Sequence, residues 1–403
     1  MRINAALYNA DHPEYGLVTV PFPIPPDQYD STIKMLESLD IGGPRARDCT
    51  VEEFQGPVPI LKRLEGCKVN VDELDYLVKR LDSFADNELA QFQGMAAAKG
   101  VAEITDLINL TFCCQQATVI TDFSDLDQIG RDHYMNLHGG CASMEELERL
   151  DARKTALELI LNDTSGQITP YGVVYDNGME LRPIYQGRNF PEYLYEESLL
   201  TVSLKSIHES DNSSEAVWLY FPTPELQITR MLYRDGMESE DFAKLEIQIN
   251  NLPAAVESAC ALERENVFDL NAMCSAISKL ARADQTKLEA VVVFANPKNA
   301  AEIRRLAGSL ELFDFVPNVY TPEEYGRYMI QDSGHFDYDS NLDEFYDYGK
   351  YGRRCMERNQ GMFTEQGYIS YQGALSLEEL MREDPAGQYQ REPEESLGMG
   401  GLT

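Results

Sequence analysis

The chain has 403 residues, 43% of them hydrophobic, and sets 34 Lys and Arg against 68 Asp and Glu, for a formal net charge of -34. This size admits two to four domains with large cores, and the apolar share excludes wholesale disorder. The charge excludes non-specific binding of nucleic acid, whose phosphates it would repel, and favours basic partners.

Residues 1–69 read as a small α+β domain. Ile3 to Tyr8, Leu17 to Val20 and Cys49 to Phe54 have strand patterns, and Pro25-Pro26-Asp27 opens a helix carrying Ile33, Met35 and Leu36. Residues 70–137 turn helical: Leu74, Leu77, Val78 and Leu81 make an amphipathic stripe, with Asp72 and Glu73 where a helix dipole favours acids. Leu89, Phe92 and Met95 predict a second helix and Ile104, Leu107 and Ile108 a third. A short strand over Thr118 to Thr121 follows, then a helix capped by Ser124. Residues 138–197 predict two short acidic helices, whose Leu147, Leu150 and Leu157 face a core, and a hairpin turning at Asn177-Gly178.

The pattern then restarts. Phe22-Pro23-Ile24-Pro25 returns as Phe221-Pro222-Thr223-Pro224, and Val217-Trp218-Leu219-Tyr220 repeats the strand role of Val18-Thr19-Val20. Leu270, Met273, Cys274 and Ile277 repeat the stripe of Leu74, Leu77, Val78 and Leu81. Gly326-Arg327 matches Gly130-Arg131, and the segment from Phe363 to Ile369 matches Ile168 to Val174. The common order predicts two tandem, divergent copies of one multi-part unit. Copy two comprises a small α+β domain at 198–265, a helical domain at 266–332 and an acidic domain at 333–385, with a disordered tail at 386–403.

Eight cysteines form no Cys-x-x-Cys pair, and five histidines are scattered. Reduced thiols, no metal site and no cofactor are expected. The N-terminus lacks a long apolar stretch, and no run of about 18 apolar residues occurs, so neither a signal peptide nor a membrane span is expected. The expected location is cytoplasmic.

The acids cluster. Asp122, Asp125, Asp127 and Asp132 lie near one basic residue, Arg131. Glu145, Glu148 and Asp151 step by three, as if along one helix face, with Glu146 beside them; Asp82 and Asp86 are four apart, also read on one helix. Asp337, Asp339, Asp343, Glu344 and Asp347 occupy a stretch free of Lys and Arg. Like charges at that spacing cost a helix roughly 0.2–0.5 kcal/mol per pair. A solvated surface tolerates this, and a basic partner relieves it.

Leu342-Asp343-Glu344-Phe345-Tyr346-Asp347-Tyr348-Gly349-Lys350-Tyr351-Gly352-Arg353 resembles the acidic antirestriction motif of the ArdA family, an aromatic-acidic stretch ending in Tyr-Gly-Arg. Phe363-Thr364-Glu365-Gln366-Gly367-Tyr368 resembles that family's C-terminal segment, and Tyr320 to Tyr328 its preceding acidic helix. The resemblance is best over 265–375, with 70–180 as a divergent copy lacking the aromatics and the Gly-Arg. It implies an α+β fold, an elongated chain of small domains, and a non-enzymatic protein that mimics bent B-form DNA. The implied partner is the DNA-binding groove of a type I restriction-modification enzyme, at its methyltransferase core, with protection of incoming mobile DNA as the outcome.

On this reading the thirteen clustered carboxylates from Asp122 to Asp347 are the partner-binding surface, and Tyr346, Tyr348, Tyr351, Gly352 and Arg353 are structural. A chain of this length resembles a fused pair, so a homodimer is either unnecessary or builds a longer rod. Nucleic acid and membrane are not expected partners. Two rivals use other chemistry: an acidic module for a nucleoid protein or repressor, and a hydrolase with paired carboxylates, for which no nucleophile motif or phosphate loop is present.

Overall fold

The computed structural model describes residues 1–162, 165–193, 198–206, 216–237, 242–259, 261–335 and 337–382. The tail expected at 386–403 lies outside the described residues. The first half of the chain runs β1 Ile3–Tyr8, β2 Leu17–Phe22, α1 Tyr29–Glu37, β3 Cys49–Gln55, β4 Lys68–Val69, α2 Val71–Asp82, α3 Asp86–Lys99, α4 Ile104–Leu110, β5 Thr118–Ile120, α5 Leu126–Leu137, α6 Met144–Arg149, α7 Ala152–Asn162, β6 Gln167–Thr169 and β7 Gly172–Tyr175. The second half runs β8 Leu200–Ser206, β9 Val217–Phe221, α8 Glu225–Asp235, β10 Phe242–Ile249, α9 Ala254–Ala259, α10 Val267–Ser278, α11 Arg282–Ala295, α12 Ala300–Ala307, β11 Phe313–Pro317, α13 Pro322–Gln331, α14 Tyr348–Asn359, β12 Met362–Phe363, β13 Gly367–Tyr371 and α15 Leu377–Arg382.

The result is a mixed α+β protein with small sheets in the orders β2-β1-β3-β4, β5-β7-β6, β10-β8-β9 and β11-β13-β12. The chain divides into two compact units. One comprises Met1–Leu194, Leu204–Trp218 and Pro224–Lys244; the other comprises Tyr195–Ser203, Leu219–Thr223 and Leu245–Thr403.

In the first unit, β1 pairs antiparallel with both β2 and β3 and buries Ile3, Ala5 and Leu7 on alternate positions. The period-2 pattern therefore places one face of this strand on a core. Leu74, Leu77, Val78 and Leu81 of α2 are fully buried, each contributing about 1.5–3 kcal/mol relative to exposure. Asn70 caps this helix, its side chain accepting from the N–H groups of Asp72 and Glu73.

Those two acids stand in the first turn, as their place in the sequence requires, and both are buried. Asp72 accepts from Tyr29 and from Arg230 of α8, each at 2.8 Å. Glu73 accepts from Arg47 at 3.0 Å and from the Tyr185 hydroxyl at 2.9 Å. Arg234, one turn beyond Arg230, donates to Asn70 at 2.9 Å and lies over the Phe190 ring at 4.6 Å. Helix α8 is thus built into the first unit by two guanidiniums, both nearly without solvent access.

Four expectations are corrected. The cap of α5 is Asp125, which accepts from the Gln128 N–H at 2.9 Å; Ser124 instead donates to Asp122. Leu147 and Leu150 are half-buried and Leu157 is exposed, because α7 packs through Ala152, Ala156 and Leu159. Asn177 and Gly178 do adopt the positive φ angles of a tight turn, closed by Met179 N–H to the Asp176 carbonyl at 2.8 Å. No strand follows, because β7 is already paired with β5 on one edge and β6 on the other. Asp82 ends α2 and Asp86 starts α3, so they do not share a helix.

Several local devices occur at two places about 196 residues apart. Asn70 and Asn266 both cap helices with their side chains. Asp75 accepts from Ile24 N–H at 2.7 Å, and Asn271 accepts from Thr223 N–H at 2.8 Å. Thr169 and Thr364 donate to the carbonyls of Gly172 and Gly367, each at 2.9 Å. A Cβ on Gly130 would sit 1.8 Å from the Ala152 carbonyl oxygen, and one on Gly326 would sit 2.0 Å from that of Tyr348.

Candidate acidic interface

In the first unit the acids begin on the turn before α5. Asp122 accepts from the Ser124 hydroxyl at 2.7 Å and its N–H at 2.9 Å, and these bonds lower its pKa. Asp125 caps α5, Asp127 lies in its first turn, and Asp132 accepts from Gln128 at 2.7 Å. Asp132 shifts upward through desolvation, opposed by that amide, although by area its side chain is exposed.

Glu145 and Glu146 occupy the first turn of α6, where Ser143 and Glu146 form a reciprocal capping box. The Ser143 N–H and then its hydroxyl lower the pKa of Glu146. The helix stops at Arg149 and Leu150 turns extended. Asp151 is therefore not on the face of Glu145 and Glu148; it opens α7, accepting from the Lys154 N–H at 3.1 Å.

In the second unit, a capping box of Thr321 and Glu324 starts α13. After it comes a loop with one 3₁₀ segment, Ser340–Phe345, not an α-helix. Asp339 accepts from the Asn341 N–H at 2.9 Å, and Asp347 caps α14 by accepting from the Lys350 N–H at 2.9 Å. Asp337 and Glu344 are exposed.

Asp343 differs from its neighbours. Its Oδ1 accepts from Gln331 and from the Tyr338 hydroxyl, each at 2.9 Å, and also from the Tyr348 hydroxyl. The Arg327 guanidinium lies 3.9 Å from Oδ2 and 4.5 Å over the Tyr348 ring. The tyrosine hydroxyls hold the Asp343 carboxyl below its ordinary range, and the carboxylate pushes Tyr338 up to about 12.

Linkage sets the pH window. A lowered carboxylate pKa stabilises the loop fully above about pH 4 and loses that contribution as pH falls through the folded value; a raised tyrosine pKa contributes below about pH 10, and its share is lost as pH rises through about 12. Asp343→Asn should return Tyr338 toward the ordinary tyrosine range, read from the Cζ shift of ring-labelled tyrosine across an alkaline titration. An unmoved Tyr338 would remove Asp343 as the cause.

The remaining motif residues frame this loop. Tyr348 is buried, while Tyr346 is half-buried with its ring 5.7 Å from that of Tyr348. Tyr351 packs on a core of Val316, Val319, Tyr325, Cys355 and Tyr368. Gly352 is buried where a Cβ would come 1.7 Å from the Pro322 carbonyl oxygen, so its missing side chain lets α14 cross α13 at backbone contact. Arg353 is exposed on α14.

Twelve of the thirteen clustered carboxylates are exposed; only Asp343 is half-buried. Asp127, Glu148, Asp337 and Glu344 have neither a hydrogen bond nor an ion pair among the described residues. Such carboxylates carry fixed negative charge at neutral pH and accept bidentate arginine. Among the described residues no group of three or more His, Cys, Asp or Glu could hold a metal ion, and no helix is long and apolar enough to cross a membrane.

Sequence reading missed Gln331, Tyr338 and Arg327 as partners of Asp343, Arg230 as the partner of buried Asp72, and Arg234 as a donor to Asn70 and Tyr185. The signal for Arg230 and Arg234 was an Arg-x-x-x-Arg step on an otherwise amphipathic helix. Residues 213–370 match the family model described as antirestriction protein (ArdA). No curated protein matches the chain.

Proposed function

From a chain that carries an ArdA antirestriction-family domain at residues 213–370, we propose a protein that blocks type I restriction-modification enzymes by occupying their DNA-binding groove. The observation that carries the reading is the match of an antirestriction family to the segment holding the Asp337–Asp347 carboxylates, four of which are exposed. Exposed carboxylates stand where phosphates would stand and meet the Lys and Arg of the groove. A folded chain offers no scissile phosphodiester, so the enzyme is held without turnover. The chain acts as an inhibitor and not as a catalyst. A duplex presents one charge per roughly 1.7 Å, so an excess of 34 charges corresponds to about 58 Å of duplex if all lay along one line.

We read the chain as two tandem copies of one unit, the second carrying the antirestriction motif. Support comes from the paired Asn70 and Asn266 caps, the paired Thr169 and Thr364 turns, and the glycine contacts at 130 and 326. The first copy contributes its own display at Asp122, Asp125, Asp127, Asp132, Glu145, Glu146, Glu148 and Asp151, in the cytoplasm where host restriction acts.

The deciding experiment plates unmodified phage on type I restricting hosts with and without the protein. Plating should rise toward the level of a non-restricting host; no rise across several such hosts rejects the reading. With purified methyltransferase core, affinity should fall as salt rises. Neutralising Asp127, Glu148, Asp337 and Glu344 one at a time should each change affinity by less than about threefold, and all four together by about tenfold or more. One dominant single site would contradict a distributed charge surface.

A further inference from the structure

The acidic loop does not carry charge alone. Phe345 is 77% exposed and Leu342 46% exposed, at the end and the middle of the same 3₁₀ segment. Asp339, Glu344 and Asp347 flank them, all exposed. Phe345 makes no ring contact among the described residues. The neighbouring Tyr346 and Tyr348, by contrast, turn inward and pack together.

An exposed phenylalanine is unremarkable on a mobile loop, but this segment is fastened. Asp343, two residues earlier, is tied to Gln331, Tyr338 and Tyr348, and Asp347, two residues later, caps α14. The chain on both sides of Phe345 is therefore anchored while the ring stays in water, where it forgoes the stabilisation of burial.

We propose that Phe345, with Leu342 beside it, is an apolar anchor that enters a recess in a basic groove while the surrounding carboxylates engage its rim. This rests on the DNA-groove reading above and names what the motif adds to charge. The occupant of the opposite side is a basic protein surface and not a second copy of this chain. An isologous contact at this loop would bring Asp337, Asp339, Glu344 and Asp347 against their own copies, like charge on like charge. A groove whose enzyme modifies a base must also receive that base unstacked, in a pocket lined by aromatic and apolar groups. A flat aromatic ring ringed by anions has the chemistry of such a base among its phosphates. Interface aromatics seated in desolvated pockets are the residues that dominate affinity.

The test measures binding of the full chain to a purified type I methyltransferase core at low and high salt. Phe345→Ala should weaken binding at least tenfold with the salt slope unchanged, and Phe345→Trp should retain most of the affinity. Glu344→Gln should instead shallow the slope with a small loss. Equal affinity of wild type and Phe345→Ala overturns the anchor and leaves the charge reading intact. Failure of the wild type to bind at all rejects the groove reading itself. Sedimentation of wild type and Phe345→Ala closes the remaining route: a self-association lost in the variant would assign the ring to a second copy and overturn the proposal.

Discussion

Arg230→Ala is expected to destabilise the first unit by about 3–5 kcal/mol, the usual consequence of removing one partner from a buried ion pair. Arg230 and Asp72 are 5% and 3% exposed, and their contact is 2.8 Å. The guanidinium also donates to the Gly42 carbonyl at 2.8 Å, so its loss leaves a carboxylate without its counter-charge and a backbone acceptor without that donor in a dry site. Tyr29 alone would remain on Asp72 at 2.8 Å. Adding Asp72→Asn to the Arg230→Ala variant should recover part of the loss, since the stranded charge is then gone. Urea or thermal unfolding of the two variants checks the pair: a single-variant change below about 1 kcal/mol would show that α8 contributes by packing alone.

Gly326→Ala and Gly352→Ala are expected to cost about 3 kcal/mol or more each, at the upper end of overpacking. The added methyl would meet a carbonyl oxygen at 2.0 Å in the first case and 1.7 Å in the second, and the obstacle is backbone, which cannot rotate aside. The helices α13 and α14 would have to separate, lifting Tyr325 and Tyr351 from the core they share with Cys355 and Tyr368. The proposed antirestriction activity should fall with the fold, because the acidic loop is hung between these two helices. Gly349→Ala supplies the internal control. Its nearest neighbours lie at 3.8 and 4.0 Å, so the methyl fits, and alanine's better helix propensity should stabilise by up to about 1 kcal/mol. Melting temperatures that move together in all three variants would refute the close-crossing argument.

The strands and helices were legible where periodicity met a core. The stripe from Leu74 to Leu81 is wholly buried, as its spacing requires, and β1 alternates as a strand with one packed face should. Cys274, a member of the repeated helical stripe, is buried with Leu270, Met273 and Ile277. What failed were judgements that depend on where a hydrogen bond goes. Ser124 and Asp125 are equally good caps on paper, and only the loop geometry gives the cap to Asp125. The three-residue step from Glu145 to Asp151 suggested one face, but a capping aspartate also sits where one helix ends and the next begins.

The acidic site was legible as a region and illegible as roles. Spacing reveals charge density, whereas it does not reveal that Asp343 is tied by three donors while Glu344, its neighbour, is free of them. The sequence assigns Tyr346, Tyr348 and Tyr351 a structural role and gives Phe345 none. The structure separates a buried Tyr348 from an exposed Phe345 three positions away, a difference of orientation that a 3₁₀ segment followed by a helix start imposes and that composition does not record.

The placement of α8 bears on how such a gene can be cut. A fragment beginning at residue 213, where the family match starts, carries off Arg230 and Arg234 but leaves their acceptors Asp72, Gly42, Asn70 and Tyr185 behind. A fragment ending at residue 194 strands the same acceptors without their guanidinium donors. The segment matched by the family model and the compact unit that holds α8 are staggered along the chain. Recombination or cloning at the family boundary therefore separates α8 from the rest of the first unit.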